Sequence, residues 1–237
     1  MQPGLSARFI VTHLLLPLAM FGLLAVGLEL SAVDVTVADH IYAWGGNAWM
    51  LRDAWITSTF IHNDGRKLVT VLSVVLLLLL IASHFVPKLK PWRKGLWYLA
   101  ASAVGAGLAI NVLKHLTHVD CPWDLLRYGG QFPYLKKFAT HPEGLLTGAC
   151  FPAGHASAGY AWLGLYYFAR DLYPRWRLWA LAAVILLGVV FGIGQQLRGA
   201  HFLSHDLWTL GLCWLCATLV YMAFGRLAAA RVSPDLH

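Results

Sequence analysis

Six apolar runs divide the chain, at Phe9–Leu30, Leu68–Val86, Leu96–Leu116, Ala153–Phe168, Leu178–Gly194 and Leu207–Phe224. Each approaches the ~20 residues that carry an α-helix across a bilayer. The pattern predicts an all-α fold, a six-transmembrane-helix bundle with short interfacial helices. Polar residues inside the runs are few. His13 lies within the first and Glu29 at its end, and the second is nearly pure Leu and Val, closed by Pro87. The segment 32–67 sets Trp44, Trp49 and Trp55 among polar residues. That mixture reads as short amphipathic helices along the membrane interface. The segment 117–152 is broken by Gly129, Gly130, Pro133, Pro142 and Gly144. It also carries Trp123, Tyr128, Phe132 and Tyr134, which read as an ordered, functional loop. A turn at 195–205 separates the last two runs.

Charge gives the runs a direction. Lys88, Lys90, Arg93 and Lys94 crowd one short connection, and Arg170, Arg175 and Arg177 another; Arg226 and Arg231 follow the last run. Short basic loops stay in the cytoplasm. With six spans, all three basic regions fall on one side, together with both termini, and the segments 32–67, 117–152 and 195–205 fall on the other. Composition agrees with a membrane solvent. The 237 residues are 59% hydrophobic and 12% charged, against about 25% charged in soluble domains. The net charge of +7 lies in short loops, not in basic tracts with interleaved aromatics, so it does not indicate nucleic-acid binding. No small-residue cleavage site follows the first run, which reads as a retained span and not a signal peptide. Residues 1–237 are therefore expected to form a single polytopic membrane domain.

The chemistry-bearing residues gather at the outer ends of three runs. Phe151-Pro152-Ala153-Gly154-His155-Ala156-Ser157 opens the fourth. Proline suits a first helical turn, and glycine lets a ligand approach the backbone closely. The free amides of such a turn favour an anion, and a histidine beside them exchanges protons near neutral pH. The stretch reads as a phosphate cradle with an acid/base histidine; the plainer alternative is an ordinary helix start with a buried histidine. Lys114 stands at the outer end of the third run, and Arg198, His201, His205 and Asp206 lie between the fifth and sixth. Ionisable groups at membrane depth are costly and mark function. Among the remaining groups, His13 reads as an interhelical hydrogen bond. His115, His118, Lys136 and Lys137 read as solvated, Asp124 and Glu143 as loop structure. His40, His62, His84 and His141 are given no role. Cys121 and Cys150 flank the long outer loop, and are either disulfide-bonded there, if that side is oxidising, or two buried thiols. Cys213 and Cys216 read as small core residues.

At these positions the sequence resembles the type-2 phosphatidic-acid phosphatase superfamily, the histidine-based membrane lipid phosphatases. The family's first signature is a lysine, six residues, then Arg-Pro; here Lys114 is followed at that spacing by Cys121-Pro122. The second, Pro-Ser-Gly-His, reads Pro152-Ala153-Gly154-His155. The third is Ser-Arg, five residues, His, three residues, Asp. Its histidine is His201, with Gln195 at the arginine position and His205 at the aspartate position. Asp206 is one residue later, and Arg198 lies three after the expected arginine.

The resemblance implies a lipid phosphatase whose active site faces the periplasm from a bacterial inner membrane, on a lipid phosphate or diphosphate. Undecaprenyl diphosphate, a lipid A phosphate and phosphatidylglycerol phosphate all suit a site at headgroup level. His201 would be the nucleophile, forming a phosphohistidine, and His155 the acid that protonates the leaving oxygen. Lys114 and the backbone at Ala153 and Gly154 would hold the phosphate, with Arg198 or Arg127 in place of the missing arginines. His205, by spacing on one helical face, or Asp206, by its carboxylate chemistry, would orient His201. No metal or other cofactor is implied. Three alternatives stand beside this reading: a lipid phosphotransferase of the same fold, a metal- or haem-binding membrane protein using the His201/His205 spacing, and an inactive scaffold or transporter.

Overall fold

The computed structural model describes residues 6–137 and 148–227. Pro142 and Gly144, together with His141, Glu143 and Arg231, lie outside the described residues. The described residues form helices and turns, without a strand. Helix α1 spans Ala7–Leu30, with one π turn at Val11–Leu15. Helix α2, Val33–Trp44, follows after two residues. Helix α3 runs Trp55–Phe85, beginning as a π-helix over Trp55–Asp64. Helix α4 is Arg93–Thr117, α5 Gly154–Tyr160 and α6 Gly164–Leu172. Helices α7, Arg177–Leu197, and α8, Leu203–Phe224, complete the fold.

Five helical segments are long and apolar enough to cross a membrane: Ala7–Leu30, Trp55–Phe85, Pro87–Asp124, Pro174–Leu197 and Leu203–Phe224. The chain is thus a multi-pass membrane protein. The expected fourth span instead divides into α5, a 3-10 turn at Ala161–Leu163, and α6, and is not among the five. Its polar ends account for the difference, since His155, Ser157, Arg170 and Asp171 interrupt its hydropathy. The second span begins thirteen residues earlier than the apolar run at Leu68. The polar break His62-Asn63-Asp64 conceals the π-helical turns from Trp55 that continue into that run without interruption.

The interior is aromatic. Tyr98, Tyr167, Tyr221 and Leu163 are completely or almost completely buried where α4, α6 and α8 meet. Buried hydroxyls need partners, and these have them. Tyr98 donates to the Ala217 carbonyl at 3.1 Å, and Tyr167 pairs with Thr218 at 2.6 Å. Helix α1 joins through His13, whose Nε2 meets the Tyr166 hydroxyl at 2.9 Å while Trp214 Nε1 donates to its carbonyl, as the sequence suggests. Cys213 and Cys216 are unbonded thiols in α8.

The three basic connections collect at one end of the bundle. Arg93 Nε donates to the Ser83 carbonyl at 2.9 Å and Lys94 Nζ to the Arg226 carbonyl at 2.6 Å. Asp171 accepts from Tyr221 and from the Leu227 amide. The other end is fastened differently. Asp34, at the start of α2, accepts from the Ser204 amide at 2.8 Å and from the Ser204 hydroxyl. A carboxylate there meets the positive end of the α8 dipole. The same carboxylate holds Lys137 at 3.1 Å, and Glu29 holds it at 2.8 Å. Lys137 is therefore buried, not solvated. Burial alone would lower its pKa; the two carboxylates outweigh it, and the pKa lies above the usual lysine value.

Candidate active site

Histidine 201 sits in the turn between α7 and α8, one residue before the α8 cap at Phe202. Two features shape that turn. Gly199 has φ +77°, and a Cβ there would overlap the Trp49 ring, so this position needs glycine. The Gly199 carbonyl then accepts from the Trp123 amide at 2.9 Å, which ties the turn to the long outer loop. The loop is itself closed by a disulfide between Cys121 and Cys150, with their Cα atoms 5.2 Å apart. Cys150 lies beside both His201 and His205.

Lysine 114 and histidine 155 meet His201 from two other elements. A Cβ placed on Gly154 would come within 3.1 Å of Lys114 Nζ, so the absence of a side chain at 154 is what lets the ammonium reach the start of α5. Both Lys114 and His155 lie near enough to act on the charge of His201. His201 is buried. Burial first, then His205 and Lys114, hold its pKa well below the ordinary imidazole value. The ring is neutral at pH 7, and its Nδ1 has no hydrogen-bond partner among the protein atoms. A neutral, desolvated imidazole beside an ammonium is suited to attack an anionic phosphorus centre.

The other expected site residues go elsewhere. His205 and Asp206 belong to α8, whereas His201 precedes the helix, so the i,i+4 face does not join them. The His201 and His205 rings meet edge to face with centroids 5.7 Å apart, and neither His205 nitrogen has a hydrogen-bond partner. The Asp206 carboxylate is turned toward α7, where it accepts from Gln196 beside Gly192. Neither residue is bonded to His201. Arg127 is spent on Asp39, through two bonds of 2.7 and 2.6 Å, with Tyr128 donating to the same carboxylate. Arg198 donates to the Arg52 carbonyl at 2.8 Å and to Gln195 Oε1 at 3.4 Å. Its charge acts on His155 and His62.

Histidine 62, given no role from sequence, stacks on His155 with centroids 3.9 Å apart and planes 4° from parallel. The signal for it was local: a histidine beside Asn63, Asp64, Arg66 and Lys67 at the head of an apolar run. Among the described residues no three His, Cys, Asp or Glu side chains are grouped to hold a metal ion.

The family model described as the PAP2 superfamily matches residues 95–228, which contain Lys114, His155 and His201. No curated protein and no solved structure matches the chain. With more than half of its length covered, from the first turn of α4 past the end of α8, the chain belongs to the PAP2 superfamily, a superfamily of phosphatases.

Proposed function

We propose that the protein is a membrane lipid phosphatase that removes phosphate from a lipid phosphate or diphosphate through a phosphohistidine on His201. The observation that carries the proposal is the meeting of Lys114, His155 and His201, from three separate elements, around one buried neutral imidazole. In the first step a lone pair of the His201 ring forms a bond to phosphorus as the phosphorus–oxygen bond to the lipid breaks. The departing oxygen takes a proton from His155. In the second, water attacks the phosphohistidine and gives a proton to His155, the phosphorus–nitrogen bond breaks, and inorganic phosphate leaves. Lys114 neutralises the oxygens on which transition-state charge spreads. Arg198 is the nearer of the two arginine candidates to His155, and Arg127 is engaged by Asp39.

The basic connections lie at one end of the bundle and the histidines at the other, which supports an active site on the outer face of a bacterial inner membrane, with both termini in the cytoplasm. Undecaprenyl diphosphate, a lipid A phosphate and phosphatidylglycerol phosphate are the substrate classes in view. The test is phosphate release by the purified protein in detergent over a panel of these lipids, with acid quenching to trap the phosphoenzyme. The expected result is turnover of at least one lipid and an acid-labile phosphoprotein that His201→Ala lacks. Turnover that persists in His201→Ala rejects the mechanism.

A further inference from the structure

The stacked pair His62–His155 is more than a packing contact. His155 Nε2 lies 3.2 Å from the His62 carbonyl oxygen, so that nitrogen carries a proton and donates it there. Nδ1 remains as the nitrogen that exchanges a proton with a ligand. The His62 ring is held in one tautomer by a second chain of bonds. Arg198 Nη1 can only donate, and it faces Gln195 Oε1 at 3.4 Å; the amide nitrogen of Gln195 therefore faces His62 Nδ1, at 2.8 Å. His62 Nδ1 accepts, its proton sits on Nε2, and the ring is neutral. Gln195 stands where the family signature carries arginine, and is itself buried. An arginine there would have no acceptor to spare and could not leave the amide arrangement intact. The element that presents His62 is the π-helical start of α3, and π turns recur where function demands an irregular backbone.

Burial, first of all, pushes the His155 pKa down to about 4, and the bond to the His62 carbonyl is the contact that opposes the fall. That bond strengthens when the His155 ring becomes imidazolium. The neutral face of the His62 ring lies against that charge, where a second imidazolium would repel it.

We propose that His62 is a positioning residue for the acid step: its carbonyl fixes the tautomer of His155, and its ring, oriented by Gln195, fixes the plane of that imidazole. The proposal rests on the phosphatase reading above, since the acid step belongs to it. His62 touches neither phosphorus nor the leaving oxygen.

Leaving-group chemistry separates this role from a structural one. An alkoxide needs protonation as it departs, whereas 4-nitrophenolate does not. In detergent, His62→Ala is expected to lower kcat on a long-chain alkyl phosphate by about tenfold or more, a fraction of what a general acid supplies. On 4-nitrophenyl phosphate the change is expected to stay within about threefold, and KM is expected to hold for both esters. His62→Phe, which restores a flat ring without a titrating group, is expected to recover most of the alkyl rate. In a His155→Ala background His62→Ala is expected to add nothing. Equal losses on both esters, or no loss on either, would overturn the positioning role while leaving the phosphatase reading in place. A native chain that releases phosphate from neither ester overturns both.

Discussion

The two ends of the bundle are built on opposite rules. At the basic end, polar groups that leave water find partners: Arg93 on Ser83, Lys94 on Arg226, and Asp171 between Tyr221 and Leu227. Arg170, with one unbonded nitrogen, lies over the Phe9 ring at 4.7 Å. At the histidine end, His201 Nδ1, both nitrogens of His205 and Asp206 Oδ1 are buried without a hydrogen-bond partner among protein atoms. Buried polar groups without partners cost about 1–3 kcal/mol each. The contrast teaches that one end is optimised to hold helices together. The other leaves buried imidazole nitrogens unpaired, as the proposed phosphatase site requires.

If that contrast is sound, changes at the two ends should part company in rate and stability. The largest effect is expected from His201→Ala, which should lower phosphate release by about 10⁴-fold, roughly 5 kcal/mol of barrier, while the melting temperature in detergent stays level or rises. Reducing the Cys121–Cys150 bridge should cost about 3.5 kcal/mol, the chain-entropy value for a loop of this length, read as a drop in melting temperature that a reductant-free control lacks. Asp34→Asn tests an exception, a fully partnered carboxylate at the histidine end. Leaving Lys137 with Glu29 alone and weakening the α8 cap should cost about 3 kcal/mol of stability. Activity should fall in step with unfolding. Lys114→Met should slow turnover about 10²-fold. Its pH profile carries a sign. The ammonium is one of the charges holding His201 down, so removing it should move the acid limb of kcat/KM upward, toward the ordinary imidazole range near 6.5. The smallest effect belongs to the basic end. Asp171→Asn should cost about 1.5 kcal/mol of stability and leave phosphate release unchanged.

What the sequence disclosed follows from what is periodic or local. Apolar runs of membrane length located the five long helices, although polar His62-Asn63-Asp64 hid the first turns of α3. Lys114, His155 and His201 were legible because charge at the ends of apolar runs is rare and their spacing matched a family signature. The partners of those residues were not legible. Arg127 lies 88 residues from Asp39 in the chain, Lys137 103 from Asp34, and Gln195 133 from His62. No pattern along a chain reports such pairs. Glu29 and Asp34, two acids beside the first span, were the available hint that a cation must come to meet them. The choice between His205 and Asp206 rested on a helical face that His201 does not share, because the helix begins two residues after it.

The bond from Asp34 to Ser204 joins residues 170 positions apart. A ribosome adding about 5–20 residues per second needs roughly 10–30 seconds to cover that distance. Throughout that interval the carboxylate waits without the amide it will bind, and the turn that bears His201 does not yet exist. Asp34, made long before its partner, is therefore among the last residues to settle, and a chain cut short before α8 lacks the bond that fastens the turn bearing His201.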